Sequence, residues 1–275
     1  MTFHEIWEVL SYPFVTRALI VGVMVSLCAS ILGVILVLKR YSLIGHGLSE
    51  VGFAALSVAL AFNLPPLYVS TPLVIAASFV IMFVSQRRRV GGDVAIGIAA
   101  SAALAFGVLV TALTRGMNLD VCSYMFGSIL AMTNEDVVLS VALSLFVTGL
   151  FILFYNRLFL ITYNEDYARS LGINVTLYQF LISFLTALTV VLGMRMMGTL
   201  LISSLIILPA VTARRLVSSF RALVVTSACI SLICFAAGLA LSFVWNLPTG
   251  ASIVSVNVAA LIGAVLLSRL MGRTA

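Results

Sequence analysis

Two side chains that can bind a metal ion lie four residues apart in the first third of the chain. His46 and Glu50 belong to the stretch Leu-Ile-Gly-His-Gly-Leu-Ser-Glu, residues 43–50. At this spacing two residues of an α-helix project from the same face. An imidazole nitrogen and a carboxylate oxygen there supply half of a tetrahedral or octahedral metal site. Gly47 leaves room for another backbone or a hydrated ion to approach closely. The alternative to metal binding is an internal hydrogen bond between His46 and Glu50, which would neutralise two buried polar groups.

A second distinctive segment runs from residue 163 to residue 173. Asn164 is suited to cap a short helix and Gly172 to end it. Two acidic residues, Glu165 and Asp166, fall in the first turn, where the helix dipole favours negative charge. The segment is predicted to be a short exposed helix, either solvated or docked in a groove on another protein. The face suited to docking has three apolar members: Tyr167, Ala168 and Leu171.

The composition of the chain indicates what kind of fold holds these residues. Of the 275 residues, 63% are hydrophobic and 9% are charged, whereas soluble domains are about 45–50% apolar and about 25% charged. There are too few charges to coat a soluble fold, so an all-α polytopic membrane protein is predicted. The net charge of +6 comes from basic residues in short stretches between apolar runs. This distribution determines membrane topology beside anionic lipid, and it argues against nucleic acid as a partner.

Charge-free runs indicate where the spans lie. Two runs, residues 51–86 and 222–268, are too long for one crossing of about 20 residues. Each contains a proline-bearing turn signal, at residues 63–66 and 246–250. With these breaks the chain has nine apolar segments, and about 8–9 transmembrane helices in a single domain over residues 1–275 are predicted. The other runs are residues 18–38, 94–114, 137–156, 170–194 and 196–213.

Basic residues set the predicted orientation. If nine segments alternate across the bilayer, only Arg17, Arg115 and Arg195 fall on one side. The positive-inside rule then makes the other side cytoplasmic, together with the carboxyl end of the chain. The cytoplasmic set is Lys39, Arg40, Arg87, Arg88, Arg89, Arg157, Arg169, Arg214, Arg215, Arg221, Arg269 and Arg273.

Several kinds of chemistry are excluded by motifs that the sequence lacks. There is no GxxxxGK[ST] motif and Lys39 is the only lysine, so a P-loop for ATP is excluded. Neither an HExxH motif nor a serine nucleophile elbow occurs, so no intramembrane hydrolase is predicted. The cysteines have no CxxC spacing and are interpreted as small, buried hydrophobic residues: Cys28, Cys122, Cys229 and Cys234.

Six short motifs follow one another along the chain. The first is Lys-Arg-Tyr-Ser-Leu-Ile-Gly-His-Gly-Leu-Ser-Glu, and the second is Asp-Val-Ala-Ile-Gly-Ile. The third is Phe-Gly-Ser-Ile-Leu, and three more follow in the second half. In this order they resemble the motifs of the permease family of zinc- and manganese-type ABC importers, from about residue 14 to the end. Their positions are 39–50, 93–98, 126–130, 165–172, 197–213 and 247–251.

The resemblance implies an ABC importer permease fold in the bacterial inner membrane. It implies a homodimer with two ATPase subunits beneath and a metal-binding lipoprotein or periplasmic protein above. The chain itself is then no enzyme and holds no resident cofactor, and His46 and Glu50 contact the zinc or manganese ion in transit. The resemblance makes residues 157–173 a cytoplasmic coupling loop that docks on the ATPase through Glu165, Asp166, Tyr167, Ala168, Leu171 and Gly172.

The metal pair departs from the commoner pattern of that family, which has aspartate at the first position and histidine at the second. Here His46 and Glu50 keep one imidazole and one carboxylate in exchanged order. One nitrogen and one oxygen suit zinc, manganese or ferrous iron, so the metal does not follow from the pair. Two alternatives stay open: a permease for a vitamin or metal-chelate importer, and an ATP-independent secondary transporter.

Overall fold

Every secondary-structure element in the described part of the chain is a helix. The computed structural model describes residues 13–86, 92–114, 134–245 and 247–270. The third motif, residues 126–130, and Cys122 lie outside the described residues. The helices are α1 (Pro13–Leu38), α2 (Ile44–Ala61), α3 (Pro66–Gln86), α4 (Gly92–Leu113), α5 (Asn134–Leu153), α6 (Tyr155–Tyr163), α7 (Glu165–Ser170), α8 (Val175–Met197), α9 (Thr199–Leu216), α10 (Phe220–Trp245) and α11 (Thr249–Leu270).

All nine predicted apolar segments form helices, and most are long enough to cross a bilayer. Among the described residues seven qualify by length and composition: α1, α2, α4, α8, α9, α10 and α11. The helices α5 and α6 form an eighth candidate, bent by 68° at their junction. The apolar part of α3, Tyr68–Val84, is shorter. The prediction of an all-α polytopic membrane protein is therefore confirmed, with seven or eight candidate spans.

Both predicted turns separate helices. The first long run breaks between Ala61 and Pro66, and Asn63 adopts a left-handed backbone with φ of 52°. Proline is suited to the first position of a helix because the amide hydrogen it lacks has no partner there. The second long run breaks between Trp245 and Thr249. In both places the sequence signal located the boundary correctly.

The helices pack as two groups. One contains α2, α3 and α4, and the other contains α1, α9, α10 and α11. Helix α8 contacts members of both groups, and α5 packs on α1. A direct but smaller contact joins α2 to α9, and the candidate site lies at this contact.

Serine hydroxyls join α1 to α10 within the second group. The Ser227 hydroxyl donates to the Ser30 carbonyl at 3.2 Å, and the Ser231 hydroxyl donates to the Ser26 carbonyl at 3.1 Å. All four serines are buried. Hydrogen bonds of this kind between membrane helices contribute about 0.6 kcal/mol each on average. They fix the register of α1 on α10 without placing a charge in the apolar region.

Gly33 provides the tightest approach of α1 to α9. A Cβ atom at Gly33 would lie 1.9 Å from the carbonyl oxygen of Ile206. Because that oxygen belongs to the backbone, no side-chain rotation can relieve the overlap. Small residues at such points let membrane helices pack closely. Gly33 is therefore required for the contact between these two helices.

Gly33→Ala is expected to destabilise the folded protein by about 3 kcal/mol, the upper end of the usual overpacking cost. The measurement is thermal unfolding of the purified protein in detergent, together with the fraction that elutes as a single species. Gly149→Ala on α5 is the matched control, because a Cβ there meets nothing within 4 Å. Equal melting temperatures for the two variants would contradict the assigned role of Gly33.

One end of the bundle gathers several helix termini. Lys39, just after α1, contacts Glu165 at the start of α7. Gly92, at the start of α4, lies against the ring of Tyr41. The ring of Phe220, at the start of α10, contacts aromatic rings of α6, namely Tyr155, Phe159 and Tyr163. If successive helices cross the bilayer in opposite directions, these termini lie on the same side of it. The assignment of this end to the cytoplasm stays a prediction.

Candidate functional site

The predicted metal-binding pair, His46 and Glu50, lies in the first two turns of α2. Leu43 precedes the helix and makes no side-chain capping bond, while its carbonyl accepts from the Gly47 amide at 2.9 Å. The Ser49 hydroxyl donates to the His46 carbonyl at 2.7 Å and so satisfies a carbonyl in the same turn. The helix places His46 and Glu50 on one face, as their spacing predicts.

The two side chains are close without forming a hydrogen bond. Nδ1 of His46 lies 3.8 Å from Oε1 of Glu50, and a hydrogen bond requires about 3.2 Å or less. Two donors that each lie about 2.1 Å from one ion are about 3.4 Å apart at the tetrahedral angle. The observed separation is close to that value. The pair therefore forms no internal hydrogen bond and stays open to a shared ion.

Exposure differs sharply between the two donors. The His46 side chain is 56% exposed, and the Glu50 side chain is 10% exposed. A carboxylate within a membrane span costs about 2.5–3.5 kcal/mol on insertion scales, so a buried Glu50 calls for a positive partner. The imidazole of His46 therefore lies nearer the surface, and the carboxylate of Glu50 lies deeper in the protein.

Two glycines of this segment serve helix packing. A Cβ at Gly45 would lie 2.9 Å from Cδ1 of Ile206 on α9, and a Cβ at Gly47 would lie 2.5 Å from Cγ2 of Ile96 on α4. The expectation that Gly47 lets another helix approach closely is therefore confirmed, and Ile96 occupies the space that a hydrated ion would have needed. Glycine at these positions lets α2 lie against both neighbours.

A cavity of ≈ 370 Å³ opens in front of the pair. Thr199, Ser203 and Ser204 of α9 line its far wall. The Ser203 hydroxyl donates to the Thr199 carbonyl at 2.6 Å, and the Ser204 hydroxyl donates to the Leu201 carbonyl at 2.8 Å. Their oxygen lone pairs remain available to a hydrated cation. The rest of the lining is apolar and consists of Leu43, Leu200, Ile207, Leu208 and Val254.

The pair does not complete a metal site alone. Over the described ranges, no group of three or more His, Cys, Asp or Glu side chains is placed to hold one ion. Of the cysteines, Cys28 and Cys234 are buried as predicted, whereas Cys229 is exposed. A four-coordinate site built on this face therefore needs two donors from elsewhere.

The predicted short helix is present as α7. Oδ1 of Asn164 accepts from the Tyr167 amide at 3.0 Å, which is the expected N-cap. Glu165 and Asp166 occupy the first turn. Gly172 has φ of 75°, the left-handed conformation that glycine supplies after a helix. The cap, the acidic first turn and the closing glycine are all as predicted.

The side chains of α7 divide into an exposed set and an anchoring set. Tyr167 and Leu171 are 54% and 56% exposed, and Asp166 and Gly172 are exposed as well. Ala168 is fully buried and belongs to the apolar core. The expectation that Ala168 shares the docking face is therefore wrong, because this residue holds α7 against the bundle.

Glu165 also points into the protein. Its Oε1 accepts from Nζ of Lys39 at 2.6 Å and from Nε2 of Gln179 at 2.8 Å. The Lys39 side chain is 5% exposed and the Glu165 side chain is 40% exposed. Glu165 therefore connects α7 to the end of α1 and to α8.

Comparison with known proteins identifies the family. Residues 11–268 match the ABC 3 transport family. The chain belongs to this family. The match covers nearly the whole sequence, and it includes α2 with the metal pair and α7 with its acidic first turn.

Relatives of this chain include membrane proteins that are named for metal transport. The manganese transport system membrane protein MntC of Halalkalibacterium halodurans is 28% identical over 249 residues, which are 90% of this chain and 85% of the relative. The high-affinity zinc uptake system membrane protein ZnuB of Haemophilus influenzae is 29% identical over 237 residues, 86% and 91% of the two chains. The solved structure of PsaBC from Streptococcus pneumoniae in complex with Fab has a TM-score of 0.83 at 24% identity, covering 96% of this chain and 95% of that one.

This family member contains contacts near the candidate site and at α7 that sequence reasoning missed. The hydroxyl-bearing wall of the cavity was not singled out, although Thr199 and Ser203 have the i, i+4 spacing of one helix face. The contact between Lys39 and Glu165 was missed as well, because 126 residues separate them. The available signal was that Lys39 is the only lysine in the chain.

Proposed function

We propose that this chain is the permease subunit of an ATP-binding cassette importer that carries zinc or manganese into the cytoplasm. The observation that supports this most directly is the His46–Glu50 pair, 3.8 Å apart at the mouth of a cavity between α2 and α9. Membership of the ABC 3 transport family supplies the transport class. The pair supplies a reason why the cargo is a metal ion.

The permease acts as a homodimer. One chain offers two donors, and the His46 side chain is 56% exposed at the entrance. A second copy of the same face across a two-fold axis adds an identical pair. The four donors then comprise two imidazoles and two carboxylates, a set that suits zinc or manganese.

Energy enters from separate ATPase subunits. In this proposal the single permease domain spans residues 1–275, and its cytoplasmic coupling loop covers residues 157–173. The exposed Tyr167 of α7 and Leu171 directly after it dock in a groove on the ATPase. A metal-binding periplasmic protein or lipoprotein delivers the ion at the opposite end.

Transport then follows alternating access. The His46 imidazole meets the incoming ion first because it is the exposed donor, and the Glu50 carboxylate behind it compensates the positive charge. Hydroxyls of the α9 wall replace part of the hydration shell. ATP binding and hydrolysis on the partner subunits move α7 and open the cavity toward the cytoplasm. The ion is then released from a site that binds it only transiently.

The test is uptake of radiolabelled zinc and manganese into vesicles that hold the permease, its ATPase and its binding protein. ATP-dependent accumulation of one metal is expected, and it names the cargo. Uptake driven by an ion gradient in vesicles without any ATPase would contradict the proposal in favour of a secondary transporter. Uptake of a metal chelate that free ions do not inhibit would contradict it in favour of a chelate importer.

A further inference from the structure

We infer that Lys39, Glu165 and Gln179 form a link that transmits movement of α7 to the loop before α2, and so to the metal pair. This inference rests on the proposed function, since it assumes that an ATPase moves α7. Lys39 and Glu165 are positioning residues in this scheme, because neither touches the ion. The link is defined as the three side chains that meet at Oε1 of Glu165.

The link joins three separate parts of the chain at one atom. Nζ of Lys39 lies 2.6 Å from Oε1 of Glu165, and Nε2 of Gln179 lies 2.8 Å from the same oxygen. Lys39 follows α1 directly, Glu165 begins α7, and Gln179 lies in the second turn of α8. Displacement of α7 therefore pulls on the end of α1 and on the start of α8 together.

Burial of Lys39 makes this ion pair costly to break, although the Glu165 side chain is itself 40% exposed. The Lys39 side chain is 5% exposed, and that of Gln179 belongs to a residue that is 4% exposed. Exposed pairs contribute little because water screens them. When one partner of a buried pair is removed, the other is left as an uncompensated charge. Lys39 is therefore expected to follow Glu165 when α7 moves, instead of separating from it.

The loop after Lys39 is short and held at several points. The Tyr41 amide donates to the Leu36 carbonyl at 2.8 Å, and the Ile44 amide donates to the Tyr41 carbonyl at 3.1 Å. Arg40 has φ of 61°, a left-handed conformation that a non-glycine residue keeps only where its surroundings enforce it. Because the loop is held in this way, a displacement of Lys39 is expected to move the start of α2 as well.

The Tyr41 ring gives the loop a second contact. A Cβ at Gly92 would lie 2.5 Å from Cε1 of Tyr41, so the ring lies directly on the first turn of α4. Burial, and to a smaller extent the negative charge of Glu165, raise the pKa of the Tyr41 phenol. That charge effect places the ring in the same environment as the link. Movement of the loop therefore reaches α2 and α4 together, and these belong to one packing group.

A purely structural role for the pair makes a different prediction. If the pair only stabilises the fold, its loss lowers the amount of assembled transporter and leaves the ions carried per ATP unchanged. If it is a transmission link, its loss lowers the number of ions carried per ATP hydrolysed in transporter that is assembled and hydrolysing. The ratio of uptake to hydrolysis separates the two roles because it does not depend on yield.

The experiment measures metal uptake and ATP hydrolysis in the same vesicles, which hold the complete transporter. Glu165→Gln and Lys39→Met are each expected to lower the number of ions per ATP at least about tenfold while hydrolysis continues. Lys39→Glu/Glu165→Lys reverses the pair and is expected to recover at least about half of the wild-type ratio. Arg40→Asn is the control, because it removes the neighbouring exposed charge and asparagine tolerates the left-handed backbone.

Lys39→Met/Glu165→Gln keeps the test valid if a single variant fails to assemble, because it leaves no unpaired charge. Its ratio is expected to stay low although it folds. A wild-type ratio in this double variant, or an equal loss in Arg40→Asn, would overturn the inference. Absence of ATP-driven uptake in the wild type would instead contradict the proposed function, so the two failures are distinguishable.

Discussion

Replacing Glu50 with glutamine is expected to lower ATP-driven metal uptake at least about a hundredfold, equivalent to about 2.7 kcal/mol. Glutamine keeps the shape of the side chain and removes its negative charge, so the ion loses the buried group that compensates its own charge. Assembly with the ATPase is expected to be unchanged, because Glu50 faces the cavity and not α7. The measurement is initial uptake rate per assembled transporter, with hydrolysis recorded in parallel.

Ser57→Ala is the control on the same helix. The Ser57 hydroxyl donates to the Phe53 carbonyl and accepts from Thr111 of α4 at 3.3 Å, away from the cavity. Its uptake rate is expected to equal that of the wild type. His46→Ala/Glu50→Ala is expected to abolish uptake of both metals. Normal uptake in Glu50→Gln would return the pair to a structural role.

Truncating the exposed apolar pair of α7 is expected to release the ATPase. Tyr167→Ala/Leu171→Ala removes two side chains that are more than half exposed, and buried aromatic anchors such as tyrosine carry much of the binding energy of many protein interfaces. A combined loss of about 3 kcal/mol corresponds to an affinity about 150-fold weaker. The measurement is co-purification of the ATPase in detergent, followed by titration of the separated subunits.

A matched tyrosine–leucine pair at the far end of α2 provides the control. Leu64→Ala/Tyr68→Ala removes side chains that are 48% and 80% exposed in and after the turn between α2 and α3. ATPase affinity is expected to be unaffected there. An undiminished affinity in Tyr167→Ala/Leu171→Ala would show that the ATPase binds elsewhere.

Local chemistry explains which features the sequence predicted correctly. The nine apolar segments follow from charge-free runs, and the two turns follow from proline, whose effect on the backbone needs no tertiary contact. The α7 helix follows from Asn164 and Gly172, which act on their own helix ends. Such signals are complete within a few residues, so a single sequence contains them.

Contacts between distant segments explain the errors. Ala168 has an apolar side chain suited to either docking or burial, and only the packing of α7 on the bundle decides for burial. Gly47 was expected to leave room for an ion, because nothing near it in sequence indicates that the side chain of Ile96 fills the space beside it. The partner of Lys39 was equally invisible, since Glu165 had already been assigned to a capped first turn facing the ATPase.

Helices approach one another more closely within the second packing group than across the contact between the two groups. Within the group of α1, α9, α10 and α11, a Cβ added at Gly238 would lie 2.4 Å from the Cα of Ile253, and one added at Gly33 would lie 1.9 Å from the carbonyl oxygen of Ile206. Between the groups, a Cβ added at Gly45 would lie 2.9 Å from Cδ1 of the Ile206 side chain and 3.7 Å from the Cα of Ser203. The cavity with its two donors therefore lies at a looser contact than the one between α1 and α9. We expect a gate at this contact to open by movement of one helix group relative to the other, while the serine bonds between α1 and α10 stay intact.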